Sequence, residues 1–333
     1  MARVCAVMRS HLCARTLVVC QPAPWPIART STAVFCRPSA YAPSSTSVSS
    51  ATVHRSVRCF SSTMDGDGVY RPYSIAGQVA LVTGASGGIG EQCAWRFAAA
   101  GCPLVLVARS GERLKALAEK IGKEYEVPIH CETVDVRDTS AIMSLPERLP
   151  ERFRAVDILV NNAGLALGTV PVHEMEVEDC AAMVDTNVMG VIAFLRAFTP
   201  GMVARDRGHI INMSSIAGHL GYKGGAVYCG TKAAVEAITE GARHDLMSTR
   251  IRITALSPGA VKTNFSVVRY NGDAAAADAV YDGFVPLSAA DIADNALYAA
   301  TRPPHVQITQ IVTLATAQYS ALEKSRTVQP FDA

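Results

Sequence analysis

Between Gln78 and Leu314, short apolar runs alternate with longer stretches in which apolar residues return every three or four positions. A run of five or six apolar residues suits a strand buried on both faces, and the three-to-four spacing suits a helix packed upon it. The pattern predicts strands at 78–82, 103–108, 129–134, 156–160, 208–213, 251–256 and 308–314. Helices are predicted after the first strand to about Ala100, then over 112–125, 139–149, 177–203, 226–248 and 289–300. From Pro258 to Pro286, Gly259, Gly272, Gly283 and an alanine cluster break the alternation over a span too long for a simple connection, which reads as a mobile substrate lid. Regular alternation of strand and helix implies an α/β protein with a single, doubly wound parallel sheet of about seven strands and helices on both faces. No internal repeat or second domain is visible.

Composition changes this picture at one end only. The whole chain is 49% hydrophobic and 18% charged, ordinary for a compact α/β protein. Residues 1–64 hold seven Arg, no Lys and no acid, and are rich in Ser, Ala, Thr and Pro, the composition of an organelle transit peptide. Arg58-Cys59-Phe60-Ser61-Ser62 resembles a mitochondrial cleavage site, so a mitochondrial destination is expected, with a disordered leader or a cytoplasmic form starting at Met64 as the alternative. Residues 65–333 then form the folded domain, with 24 of the 31 basic residues against all 29 acidic ones. That balance offers no basic face for nucleic acid. No apolar run is expected to span a bilayer, so no membrane partner is expected. Cys93, Cys102, Cys131, Cys180 and Cys229 lack C-x-x-C pairing, and His173, His209, His219 and His244 stand apart, so no metal is expected.

The first strand runs into Gly84-Ala85-Ser86-Gly87-Gly88-Ile89-Gly90 and then a helix, the opening unit of a dinucleotide-binding Rossmann fold. Glycines there let a pyrophosphate approach backbone N–H groups at a helix N-terminus. Arg109 closes the second strand where an acid would take an adenosine ribose, and a guanidinium suits a 2′-phosphate, so NADP is expected. Asp135, followed by Val136, ends the third strand and can accept from the adenine amine; Asn161, Asn162 and Ala163 end the fourth beside the cofactor. Ser215 lies just past the fifth strand. Tyr228 and Lys232 are four apart on one helix, so ammonium and phenol stand one above the other, and the cation is expected to move the phenol's pKa toward working pH. That pairing would make Tyr228 a general acid/base.

Thr83-Gly84-x-x-x-Gly88-Ile89-Gly90, Asn161-Asn162-Ala163-Gly164, Asn187, Ser215, Tyr228-x-x-x-Lys232 and Pro258-Gly259 together resemble the short-chain dehydrogenase/reductase family over about residues 76–316. The resemblance implies that Tyr228 carries the proton, Ser215 holds the substrate oxygen, Lys232 binds the nicotinamide ribose, and Asn187 anchors a water in a proton relay. It also implies that Pro258, Gly259, Val261 and Thr263 meet the nicotinamide amide and phosphate, and that the chain forms a homodimer or homotetramer. Asn161 to Gly168, Phe265 to Gly272 and Gln318-Tyr319 are similar to the NADP-dependent 3-hydroxy acid dehydrogenases of that family, which oxidise serine and allo-threonine and reduce malonic semialdehyde. A small carboxylate substrate needs a cation, and Arg269 in the lid is the candidate, its rival role being pairing with Asp273 or with the protein surface. The alternatives are a reductase of another carbonyl (ketone, steroid or acyl-thioester) and a NADP-binding regulatory protein without turnover.

Overall fold

The computed structural model describes residues 72–326; the expected leader, Met64 and the extreme C-terminus lie outside the described residues. Seven parallel strands make one sheet: β1 Val79–Thr83, β2 Leu104–Ala108, β3 Ile129–Thr133, β4 Val156–Asn161, β5 Gly208–Met213, β6 Ile251–Pro258 and β7 Gln310–Thr313. Their order is β3-β2-β1-β4-β5-β6-β7, so the chain works outward from β1 in one direction and then returns to fill the other. Residues of β1 alternate between the two faces. Ala80 and Val82 face one layer of side chains and Val79 and Leu81 the other. Both layers are covered, which is why the strand reads as an unbroken apolar run.

On the first face lie α1 (Gly88–Ala99), α2 (Gly111–Glu124) and, from the far end of the chain, α10 (Ala289–Ala300). α1 sets Cys93, Ala94 and Phe97 against Ile292, Ala293 and Ala296 of α10; small residues at those positions let the two helices approach closely. Ser288 begins α10 with a capping box, accepting from Asp291 N while Asp291 accepts from Ser288 N. The second face is covered by α3 (Thr139–Arg148), α4 (Glu151–Arg154), α6 (Gly190–Arg205) and α7 (Ala226–Asp245), with Phe153, Phe194 and Phe198 in the layer beneath, while α5 (Val177–Val184) packs on α7. Truncating a fully buried ring such as Phe97 or Phe194 costs about 3–5 kcal/mol.

Two stretches differ from the sequence expectation. The helix expected over 177–203 is broken by a π-helical turn at Asp185–Met189, because a one-residue widening leaves an apolar 3.6-residue rhythm almost unchanged and so does not show in the pattern. Together these segments, Val177–Arg205, are by length and composition apolar enough to cross a membrane, which corrects the expectation that no run approaches that length. Here its α6 part packs on the sheet, and Met183, Phe194, Phe198 and Met202 are in the interior. The expected lid contains two short helices, α8 (Phe265–Arg269) and α9 (Ala274–Ala279), the second capped by Asp273, whose carboxylate accepts from Ala276 N. His209 is buried against Thr254 at 2.8 Å, and burial pushes its pKa well down, so it is a neutral structural residue.

Candidate active site

β1 ends at Thr83 and the chain turns through Gly84 to Gly87 into α1. Gly84 has φ +67°, and a side chain there would meet Asn162 Nδ2 at 2.9 Å and Ala163 Cα at 3.0 Å. At Gly90 a Cβ would fall onto the carbonyl oxygen of Gly84. These two glycines therefore serve the close packing of turn against helix and β4; Gly84 also lines a cavity together with Ser86, Gly87, Gly88 and Ile89, whereas Gly90 does not. No side chain caps the N-terminus of α1, which leaves its first N–H groups available to an anion.

The cavity, ≈1130 Å³, opens at the carboxyl ends of the strands, where β1 passes its neighbours off in opposite directions. Thr83 Oγ1 braces it by accepting from the backbone N–H of Asn162 at 2.9 Å and of Ala163 at 3.0 Å. Asn162, Ala163 and Gly164 form its wall. Asn161 does not. Its amide is buried and donates to Asn212 Oδ1 at 2.8 Å, so the expectation of an Asn161 side chain beside the cofactor is corrected: alternation along β4 turns it into the sheet end.

At one end the lining residues are Ala108, Arg109, Ser110, Arg113, Asp135 and Val136. Two guanidinium groups and a serine beside the glycine turn are a donor set for a phosphate, not for a ribose 2′-hydroxyl. Asp135 is gripped by Arg137, with Nη2 to Oδ2 at 2.6 Å and Nε to Oδ1 at 3.1 Å, and that contact holds its pKa below the usual carboxylate range.

The other end gathers Ser215, Tyr228, Lys232, the chain after β6 and α8. Ser215 Oγ accepts from Ala217 N at 3.1 Å, which fixes the hydroxyl at the start of a 3₁₀ turn, Ile216–Gly218. Lys232 is buried beneath Tyr228, its Nζ 5.9 Å from the ring centroid and donating to Met213 O at 2.8 Å. Burial drives the two groups apart: the Tyr228 phenol is raised, with the Ser215 hydroxyl opposing, and the Lys232 ammonium is lowered to about 8. The expected acidification of Tyr228 by Lys232 is therefore corrected, since desolvation of the phenolate outweighs it and the phenol stands protonated, ready to donate. Asn187, set in the π-helical turn, is clasped by Leu165, accepting from its N–H and donating to its carbonyl, both at 2.8 Å, and donates to Thr231 Oγ1 at 3.0 Å. It stands behind the wall and holds Leu165 and α7 in place.

Pro258, Gly259, Val261 and Thr263 line the same cavity as the glycine turn. Lys262 turns outward to Asp278 at 3.3 Å. Arg269 is in the cavity and is not paired with Asp273. It donates from Nη1 to Tyr222 Oη at 2.8 Å and from Nη2 to Gly224 O at 3.2 Å, and its Cζ lies 5.4 Å from the Tyr222 ring centroid and 5.8 Å from that of Tyr228. Among the described residues its Nε is buried without a hydrogen-bond partner.

Residues 78–272 match the family model described as short chain dehydrogenase. The chain belongs to the short chain dehydrogenase family. Among relatives, it is similar to the NADP-dependent 3-hydroxy acid dehydrogenase of Schizosaccharomyces pombe, 41% identical over 246 residues, 74% of this chain and 95% of that protein. It is equally similar to sulfoacetaldehyde reductase 2 of Chromohalobacter salexigens, 41% identical over 241 residues, 72% and 95% of the two chains. Among solved structures, the closed form of serine dehydrogenase complexed with NADP+ superposes with a TM-score of 0.70 at 40% identity, covering 73% of this chain and 97% of that one.

Within this short chain dehydrogenase, Tyr222, Arg113 and Gln318 were not picked out as site residues by sequence reasoning. Tyr222 lies six residues before the catalytic-type tyrosine in a loop with no periodicity. Arg113 reaches the cavity from the first turn of α2, where a spacing of four from Arg109 was a readable signal. Gln318, 58 residues beyond Ala260, lines the cavity and accepts from Ala260 N at 2.8 Å, a contact no local pattern announces.

Proposed function

We propose that this short chain dehydrogenase transfers a hydride reversibly between NADP and the 3-hydroxyl carbon of a small 3-hydroxy acid of the serine, allo-threonine or 3-hydroxypropionate type. The observation that carries this is the juxtaposition of a buried Tyr228 phenol and a half-buried guanidinium, Arg269, 5.8 Å from its ring in one cavity. NADP fits the residues present: Arg109, Ser110 and Arg113 for a 2′-phosphate, the first turn of α1 for the pyrophosphate, and Lys232 for the nicotinamide ribose. When bound, it supplies or accepts the hydride.

In the reducing direction Tyr228 gives its proton to the carbonyl oxygen, while the Ser215 hydroxyl holds that oxygen in line. Lys232, cationic below about pH 8, balances the charge left on the phenolate. Arg269 holds the substrate's anionic end from the cavity lining, with Tyr222 Oη and Gly224 O fixing the guanidinium plane. Such a clamp orients the reacting carbon instead of merely tethering the molecule. A sulfonate presents the same charge to the same fork, and the similarity to a sulfoacetaldehyde reductase favours a sulfonated aldehyde as the second reading.

The test is a panel of serine, allo-threonine, 3-hydroxypropionate, malonic semialdehyde, a sulfonated aldehyde and a neutral aldehyde, each with NADP(H) and NAD(H). Turnover of the anionic compounds with NADP(H), at least about tenfold above the neutral aldehyde, is expected; equal use of the neutral compound contradicts the reading. Exposed Val177 and Val184 on α5 and Ile192 and Val203 on α6 support assembly of copies, as a homodimer or homotetramer, through that face. The acid-free, arginine-bearing leader supports a mitochondrial location, tested by following the full chain against one starting at Met64.

A further inference from the structure

Glu236 lies on α7 one turn beyond Lys232 and two beyond Tyr228, on the face turned toward the sheet. Its carboxylate is the meeting point of four elements. Ser257, fully buried on β6, donates from Oγ to Oε1 at 2.6 Å; Gln310 of β7 donates from Nε2 to Oε2 at 2.9 Å; His219 Nε2, just past the Ile216–Gly218 turn, lies 3.2 Å from Oε1. Each neighbour belongs to a segment that carries part of the site. Ser257 precedes Pro258-Gly259, and His219 follows Ser215 by four residues. Gly218 is pressed so closely on α7 that a side chain there would meet the backbone of Lys232 at 2.9 Å.

A glutamine would keep one of the two acceptor oxygens and set an N–H pair in place of the other, and it would place no charge at this partly buried position. The charge has a further consequence one turn away, where the buried Lys232 donates to the backbone carbonyl of Met213. The geometry points to Glu236 as a positioning residue for the reaction: it locks α7 to the strand and turn that carry the other catalytic groups, and its carboxylate keeps the Lys232 ammonium charged. The other ionisable groups around the pair are Glu240 and Arg243 on α7, His219, and Tyr228 with Arg269 above it; β6 and β7 contribute only the neutral Ser257 and Gln310. The direction agrees with the electrostatics, in which burial lowers Lys232 to about 8 and Glu236 acts to raise it.

The inference rests on the assignment of Tyr228 and Lys232 to the reaction, but its test needs no turnover. In protein labelled with ¹³C at the lysine ε-carbon, the Lys232 signal, assigned by its loss in Lys232→Arg, is followed from pH 6 to 11. In Glu236→Gln the midpoint is expected to fall by about one unit, an opposite charge at this spacing being removed. The loss of NADPH affinity with rising pH, read by fluorescence titration, moves down with it. An unchanged lysine midpoint in Glu236→Gln overturns the inference. A role confined to packing would lower the melting temperature and leave both pH curves in place. If Glu236→Gln does not fold, Glu236→Asp, which draws the charge back by one methylene, is read in the same way and is expected to shift the midpoint down by less; no shift there overturns the inference equally. Failure here leaves the Tyr228 reaction standing, and failure of the reaction assay leaves the lysine titration readable.

Discussion

Burial moves the two titrating members of the site in opposite directions, raising the Tyr228 phenol and lowering the Lys232 ammonium to about 8. Reduction needs a protonated phenol and a charged lysine together. Its rate should therefore hold below about pH 8 and decline as Lys232 loses its proton above that, which a pH profile of kcat/KM for a 3-oxo acid measures. Arg269→Ala should raise KM for that substrate at least about tenfold, a charged hydrogen bond being worth roughly 1.5–3 kcal/mol, and leave a neutral aldehyde unaffected. Arg269→Lys should recover only part, since an ammonium lacks the planar fork that Tyr222 and Gly224 hold. Tyr228, Lys232, Ser215 and Arg269 were readable because their chemistry is in the residue type and spacing. Tyr222 was not, because its role exists only once α8 folds back over the loop before α7.

At the scale of elements, the turn between β1 and α1 separates packing glycines from exposed ones. Gly90→Ala places a methyl on the Gly84 carbonyl oxygen and should abolish NADPH binding while lowering the melting temperature. Gly87→Ala meets nothing within 4 Å and should keep the melting temperature within a few degrees; thermal melts with and without NADPH compare the two. The strands of the sheet and the helices α1, α2, α7 and α10 followed from apolar periodicity to within a few residues. The π-helical turn did not, because what defines it is a backbone hydrogen bond, and its function, holding Asn187 against Leu165 and Thr231, depends on partners 22 and 44 residues away. The two helices of the lid were hidden by their shortness: five and six residues give too little of a repeat to read.

For the whole molecule, the site is bought with stability. Lys232 titrates near 8 when folded and near 10.5 when unfolded, so between those values the unfolded chain binds more protons and stability rises with pH; below 8 the full penalty is present. Lys232→Met should therefore be inactive yet more stable than the parent at pH 7, by about 2 kcal/mol after allowing for the lost bond to Met213, with the gap closing toward pH 10 in urea melts. The doubly wound order and the position of the cavity followed from the alternation of strand and helix, because a parallel sheet puts its ligand at the strands' carboxyl ends. Depth within the sheet end did not, which is why Asn161 was expected at the wall it only supports. The central claim is that Tyr228 carries the proton, and it is tested most directly by single-turnover oxidation of bound NADPH with malonic semialdehyde in Tyr228→Phe. A loss of at least about a hundredfold in rate with unchanged NADPH affinity is expected; a rate within about tenfold of the parent would contradict the account.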